Sequence, residues 1–268
     1  MKLLRHPALP FHAALLAGVL LLLGPSLLGG RHFVPFDLHH FSPWRVAERA
    51  VAGNLDISEK LFLARPDLEV ARREVAAGRL PGWNPYIRTG APLLGSALEG
   101  LLHPPHWLLF LVPPGRAFAF LALLSFWLAG FFTWLLLRLW GLRPLAAAGG
   151  GLFFAFSLAM TANAHFYMRQ DTLALMPLLF WAAERCRLRP GPLGPLALAL
   201  GTAGLWLAGF PPFALAITLG LLAWVALVVA TRWRQGGREE VLPLLARFLP
   251  ALAIGFLLAA PQLVPLAR

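Results

Sequence analysis

Two aspartates that are suited to accept a proton follow the first apolar run of the chain. Asp37 lies closest to that run, which covers residues 12–29, and Asp56 lies further along the same polar stretch. Partial desolvation beside a bilayer raises the pKa of a carboxyl group and suits it to take a proton from a hydroxyl. Alternatively, either side chain caps a loop helix or pairs with an arginine.

A second set of chemically capable side chains lies in residues 165–171, which read HFYMRQD. Ionisable residues at membrane depth are candidates for function, and a guanidinium binds a phosphate through parallel hydrogen bonds. We therefore expect Arg169 to bind a phosphate group, with Asp171 orienting it and His165 beside it. Alternatively, Arg169 and Asp171 form a local pair that only fixes the end of a helix.

Histidines occur in two pairs that resemble metal ligands, His39-His40 just after Asp37 and His103-x-x-His106. Imidazole suits zinc better than magnesium. However, two prolines separate His103 from His106, which is not the spacing of a helical zinc site. We therefore interpret these residues as interfacial histidines and predict no metal ligands, while a divalent cation stays open as a cofactor.

The elements that position these residues must be membrane helices. The chain is 59% hydrophobic and only 13% charged, whereas soluble domains carry about 25% charged residues. Its net charge of +11 does not indicate nucleic-acid binding, because residues 31–102 hold nine basic and eight acidic residues. The excess positive charge lies in short clusters between apolar runs, which is a membrane-topology signal.

Seven apolar runs are long enough to suggest spans: 12–29, 117–137, 144–161, 171–184, 193–209, 212–231 and 243–266. An eighth run, 101–114, is short and interrupted by prolines, so we assign it as an interfacial or re-entrant segment. The run Gly149-Gly150-Gly151 has no preceding strand and no following Lys-Ser/Thr. It predicts close helix packing rather than a phosphate loop.

The arginines orient these spans. With seven crossings, the clusters within 138–143, 185–189 and 232–238 share one side with the N-terminus, and the opposing short loops hold only Arg169. The positive-inside rule then predicts a cytoplasmic N-terminus. We expect an all-α, polytopic membrane protein in three parts. These are a first helix (1–30), an extracytoplasmic loop with amphipathic helices at 43–52 and 66–77 (31–115), and a six-helix bundle (116–268).

The loop carries motifs that resemble a known family. After Asp56 come residues 78–86 (GRLPGWNPY), 90–94 (GAPLL) and the pair His103-Pro104. Together with residues 151–157, 177–181 and 207–211, they resemble the bacterial YfhO-type membrane proteins, which are similar to GT-C glycosyltransferases. Members of that family are usually longer, so we expect this chain to be an N-terminal portion.

The resemblance implies a GT-C-like fold and transfer of a sugar from a polyprenyl-phosphate donor to an extracytoplasmic acceptor, a cell-wall polymer or a lipid. It places the chain in the bacterial cytoplasmic membrane, with the sugar lipid and membrane lipids as partners and no nucleic acid. Asp56 fits the family spacing and Asp37 is nearer the membrane, and either is the catalytic base. The alternative function is a non-catalytic scaffold or a transporter of lipid or glycolipid.

The same resemblance suggests sugar-contacting residues. Trp83 and Tyr86 would stack on a sugar ring, Asn84 would hydrogen-bond it, and Arg88 would be a further phosphate ligand. Because Pro81-Gly82 and Asn84-Pro85 are turn signals, the alternative is a purely structural turn, which we favour for this segment.

Overall fold

The computed structural model describes residues 8–29, 33, 65–87, 89–95 and 99–266. This part of the chain is all-α apart from one pair of two-residue strands. Its elements are, in order, α1 (Ala8–Leu27), α2 (Arg65–Ala76), β1 (Trp83–Asn84), β2 (Ala91–Pro92), a 3₁₀ helix (Pro104–Trp107), α3 (Leu108–Leu111), α4 (Pro114–Leu139), α5 (Pro144–Ala155), α6 (Leu158–Ala162), α7 (Tyr167–Leu188), α8 (Leu193–Leu207) and α9 (Pro211–Leu266).

Four helical segments among the described residues are long and apolar enough to cross a membrane. They are Leu9–Leu27, Arg116–Leu139, Pro144–Ala162 and Pro211–Val264. A single crossing takes about 20 apolar residues, and each segment contains such a stretch. The expectation of an all-α membrane protein is thus met by several apolar helices.

Two further helices that lie in predicted spans do not meet these requirements for length and apolar composition. The first, α7, has sufficient length but carries Arg169 and Asp171 near its start and three charged residues, Glu184, Arg185 and Arg187, near its end. The second, α8, has only 15 residues. Charged side chains raise the cost of burying a helix in hydrocarbon. The number of seven spans therefore stays a prediction.

Helix α9 is two helical stretches that meet at Gly237. This glycine has φ 62° and ψ −145°, a backbone conformation outside the helical region, and it interrupts the ladder of backbone hydrogen bonds. In the second stretch, Arg247 donates to the carbonyl of Cys186 near the end of α7, and Gln262 donates to the carbonyl of Trp206 near the end of α8. The second stretch therefore runs back along α8 toward the end at which α9 begins.

The helices approach one another closely where glycine and alanine meet. A Cβ atom on Gly151 of α5 would lie 2.7 Å from the carbonyl oxygen of Gly130 on α4, and one on Gly255 of α9 would lie 2.7 Å from the carbonyl oxygen of Ala199 on α8. Of the three consecutive glycines in α5, Gly150 and Gly151 meet α4, whereas Gly149 faces open space. Small residues permit this packing where helices meet in a bilayer.

Helix α2 matches the second helix predicted in the loop. It ends before Gly78, whose φ of +71° suits a residue without a Cβ. Its apolar face buries Leu68 and Ala71, while Val75 stays exposed. Glu69 and Arg73 form the i, i+4 ion pair at 3.4 Å. The other loop helix, predicted at 43–52, lies outside the described residues.

The described residues within 65–112 pack on one end of the helix bundle. Leu68 of α2 and Leu109 of α3 share a buried cluster with Phe118 of α4 and with Phe166 and Tyr167 at the start of α7. On the same side, Arg72 donates to the carbonyl of Val112 at 2.8 Å and to that of Leu109. We call this unit, residues 65–112, the loop cap. The basic ends of α4 and α7 lie at the opposite end of their helices.

Candidate functional site

The loop cap meets the bundle at a buried polar cluster centred on Asp171. This residue lies in the second turn of α7 and is almost fully buried. Its Oδ2 atom lies 2.7 Å from Nε2 of His106, in the 3₁₀ helix, and its Oδ1 atom accepts a hydrogen bond from Ser125 on α4. Three separate elements therefore converge on one carboxyl group.

The contacts of His106 show which of its ring nitrogens carries a hydrogen. Its Nδ1 atom lies 2.8 Å from the carbonyl oxygen of Gly100. A carbonyl can only accept, so Nδ1 must carry a hydrogen. The contact between Nε2 and Asp171 then contains a single proton, held by the imidazole in an ion pair or by the carboxyl group in a neutral pair.

Gly100 makes this arrangement possible. Its φ of +54° suits glycine, and a Cβ atom there would lie 2.7 Å from the carbonyl oxygen of Ala208 and 2.8 Å from Nδ1 of His106. The backbone at residue 100 is thus wedged between the end of α8 and the imidazole. Substitution at this position would push the histidine away from Asp171.

His103 lies beside the cluster and is also buried, with 5% of its surface exposed. Its ring packs edge-on against that of His106, with 4.8 Å between centroids. Within the described residues its Nδ1 atom has no hydrogen-bond partner. Burial, together with the neighbouring His106, lowers the pKa of the His103 imidazole to about 3, so this ring is neutral at physiological pH. Both histidines, interpreted from the sequence as interfacial, are therefore enclosed by protein.

Tyr167 closes the cluster on the α7 side. Its ring packs edge-on against His106 at 4.8 Å and stacks on Phe118 at 5.5 Å. Its hydroxyl donates to the backbone carbonyl of Glu99 at 3.2 Å. These contacts bind the segment before the 3₁₀ helix to the start of α7 and exclude water from the imidazole.

Arg169, two residues before Asp171, lies in a different environment. Its guanidinium carbon is 4.0 Å from the ring centroid of Phe166 and 4.8 Å from that of Phe210, which precedes α9. Aromatic faces attract a guanidinium and hold it in place. Asp171, which we expect to orient Arg169, has one oxygen on His106 and the other on Ser125. His165 is partly buried, with its ring 4.3 Å from that of Phe166.

The predicted turn over residues 80–86 is a small hairpin. Trp83 pairs with Pro92 and Asn84 with Ala91. Asn84 is buried; its Nδ2 donates to Oδ1 of Asp67 at 2.6 Å, and its Oδ1 accepts from the backbone N–H of Tyr86 at 2.9 Å. Both ends of the amide are thus engaged within the loop cap, which supports a structural role for this side chain.

The two aromatic residues of the hairpin are exposed, Trp83 by 53% and Tyr86 by 77%. The Trp83 ring lies against Gly90, since a Cβ atom at residue 90 would come within 2.5 Å of it. With about half of its surface exposed, the indole of Trp83 leaves part of its ring accessible for stacking. Asp37, Asp56 and Arg88, the other predicted site residues, lie outside the described residues.

Sequence reasoning did not single out Ser125, Tyr167 or Gln170. Ser125 is a lone hydroxyl inside an apolar run, and Gln170 is a fully buried amide with no hydrogen-bond partner in the part of the chain that the structure describes. The available signal for Ser125 was a polar side chain inside an apolar run, because burying such a group in hydrocarbon is costly. The pairing of His106 with Asp171 had no signal, because 65 residues separate them.

No protein-family model matches the chain, no curated protein matches it, and no solved structure matches its fold.

Proposed function

We propose that the protein is a multi-pass membrane glycosyltransferase of the GT-C-like type, which moves a sugar from a polyprenyl-phosphate donor to an extracytoplasmic acceptor. The observation that carries this proposal is the position of Arg169. Its guanidinium rests on Phe166 and Phe210 at the end of the bundle that the loop cap covers. Aromatic rings hold a guanidinium in place, and a guanidinium at this position is the type of group that binds a phosphate through two parallel hydrogen bonds.

The proposed topology has seven crossings and a cytoplasmic N-terminus. Helices α7 and α8 and the two stretches of α9 pack together, and the second stretch of α9 runs opposite to the first. The arginines at the end of α7 and around Gly237 then share one side. Arg187 and Arg232 line the same surface depression there, while Arg169 lies at the other end of α7. This separation supports an extracytoplasmic loop cap under the positive-inside rule.

Within this proposal Asp37 or Asp56 takes the proton of the acceptor hydroxyl. The acceptor oxygen bonds to the anomeric carbon of the sugar as the sugar–phosphate bond breaks, and Arg169 and Arg88 stabilise the charge that develops on the leaving phosphate. Trp83 and Tyr86 would stack on the sugar, while Asn84 keeps the hairpin folded. The protein would act in the bacterial cytoplasmic membrane.

One experiment addresses donor binding. Purified full-length protein in detergent is titrated with undecaprenyl phosphate. Replacing Arg169 by Ala should weaken binding by about 10-fold or more, since a charge-assisted hydrogen bond contributes about 1.5–3 kcal/mol. Arg234→Ala is the matched control, because Arg234 is an exposed arginine at the other end of the bundle. Equal affinity of wild type and Arg169→Ala would remove the observation on which the proposal rests.

A second experiment addresses catalysis. Cells that express Asp37→Ala, Asp56→Ala or the Arg234→Ala control are compared by mass spectrometry of their outer-face sugars, with membrane insertion checked for each variant. We expect at least one aspartate variant to abolish the modification. Retention of full modification by both variants would refute the enzymatic assignment, and lipid movement that ignores both carboxylates would indicate a transporter.

A further inference from the structure

His103, His106 and Asp171 form a compact set of metal-ligand side chains. One ligand atom from each lies within 4.8 Å of the other two, and all three residues are buried. We propose that these residues bind one divalent transition-metal ion, and that the ion is zinc. Two imidazoles and one carboxylate are a donor set that zinc uses in proteins. This inference is independent of the proposed sugar transfer.

The hydrogen bond of His106 to Gly100 prepares the imidazole for a metal. A metal-bound histidine typically donates its other ring N–H to a carbonyl or carboxylate, which fixes the tautomer. Nδ1 of His106 makes this contact at 2.8 Å. Nε2 is thereby directed at Asp171 as the nitrogen that can bind an ion.

The carboxylate has a matching outer contact. Ser125 donates to Oδ1 of Asp171, while Oδ2 faces His106. Carboxylates that bind a metal through one oxygen are commonly hydrogen-bonded in turn. Ser125 therefore holds Asp171 in an orientation that presents Oδ2 to the centre of the cluster.

A proton shared by His106 and Asp171 leaves one atom of His103 without a partner. The Nδ1 atom of His103 is buried and has no hydrogen-bond partner among the described residues, and a buried polar atom without a partner is unfavourable. The neighbouring His106 cannot satisfy it, because both of its nitrogens are already engaged. A metal ion between the two rings would accept a lone pair from the His103 imidazole.

Ion binding and the shared proton exclude each other. Zinc bonds of about 2.0–2.2 Å place tetrahedral donors about 3.3–3.6 Å apart, so Nε2 of His106 and Oδ2 of Asp171, now 2.7 Å apart, must separate slightly. The ion takes a lone pair from each, and the one proton between them leaves to solvent. The bound ion then fastens the 3₁₀ helix of the loop cap to α7.

The test begins with the wild-type protein, purified from cells grown with added zinc. Elemental analysis should find about one zinc ion per chain, and removal by a chelator should lower the apparent Tm reversibly. Titration calorimetry in buffers of different ionisation enthalpy should show release of one proton per ion. Replacement by cobalt should give visible d–d absorption, whose intensity reports the coordination geometry of the bound ion.

Variants then assign the ligands. His103→Gln and Asp171→Asn should each weaken zinc binding by at least about 100-fold, because even outer contacts of a metal site are worth about 10- to 100-fold. His12→Gln, a histidine on α1 that packs against Trp127 and Phe131, should bind zinc like the wild type. Wild-type protein with no zinc and no change in Tm on zinc addition would overturn the proposal, whatever the variants do and whether or not sugar transfer is found.

Discussion

Asn84 donates a 2.6 Å hydrogen bond from Nδ2 to Oδ1 of Asp67, and both side chains are buried. The bond joins the hairpin to the first turn of α2, across 17 residues of sequence. It also places the carboxyl group of Asp67 in the interior of the loop cap. The free-energy cost of burying this group is offset by the hydrogen bond from Asn84.

Replacing Asn84 by Ala should destabilise the loop cap. The carboxyl group of Asp67 would lose its buried partner, which costs about 1.5–3 kcal/mol for a hydrogen bond to a charged group. The measurement is the apparent Tm of the purified protein in detergent. Arg79→Ala breaks only an exposed pair with Glu74 and should leave Tm unchanged. Equal Tm values for the Asn84 and Arg79 variants would contradict the buried bond.

Arg72 and Arg73 make a matched pair of adjacent arginines. Arg72 binds the carbonyl oxygens of Leu109 and Val112, whereas Arg73 is exposed and pairs with Glu69. Arg72→Ala should therefore loosen α2 from α3 and raise hydrogen exchange across residues 65–76 by about 10-fold or more. Arg73→Ala should exchange at the wild-type rate. The same exchange pattern in both variants would mean that α2 is not held by Arg72.

Gly151 should tolerate no side chain, unlike Gly149. A methyl group on Gly151 meets the carbonyl oxygen of Gly130 at 2.7 Å, and backbone cannot rotate away. Gly151→Ala should thus force α4 and α5 apart and cost about 1–3 kcal/mol. Gly149→Ala meets nothing within 4 Å and should keep the wild-type Tm. A Gly151→Ala protein as stable as the Gly149 variant would disprove this helix contact.

Gly237 should be required for the reversal within α9. Its φ of 62° with ψ of −145° is a region that glycine occupies almost alone. Gly237→Ala should lower stability by about 1–3 kcal/mol, read as apparent Tm. Gly220→Ala, within the first stretch of α9 and with open space around its Cβ, is the control and should be neutral or slightly stabilising. A neutral Gly237→Ala would mean that the reversal does not need glycine.

Labelling of introduced cysteines checks the proposed topology. The single native cysteine, Cys186, is buried. Tyr86→Cys lies on the exposed hairpin and Trp233→Cys on the exposed surface near Gly237. In intact cells a membrane-impermeant maleimide should label residue 86 and reach residue 233 only after permeabilisation. The opposite pattern would place the loop cap in the cytoplasm and end the proposal of outer-face chemistry.

Periodicity and turn residues predicted the local structure well. The amphipathic pattern over residues 66–77 and Gly78 predicted α2 to within one residue at each end, because these signals act over a single turn. Residues 101–114 were expected not to form a spanning helix, and they contain only a 3₁₀ turn and a four-residue helix. The paired runs 212–231 and 243–266 match the two stretches of α9.

Long-range pairing could not be predicted in the same way. In the sequence, two prolines between His103 and His106 argue against a metal site. That argument considers only ligands on one local element and cannot include a ligand from elsewhere in the chain. The third ligand candidate, Asp171, arrives from α7 and is brought close by tertiary packing. Likewise, Asp171 was paired with Arg169 because the two are neighbours in sequence, although helix geometry directs residues two apart to different faces.

The contact between His106 and Asp171 has a consequence for biosynthesis. The ribosome adds about 5–20 residues per second, so the carboxylate is synthesised about 3–13 s after the imidazole 65 residues before it. During that interval neither Asp171 nor α8 has been synthesised, so His106 and the backbone at Gly100 lack these contacts. The covering of this end of the bundle is therefore a late step of assembly, completed only once α7 and α8 have been synthesised.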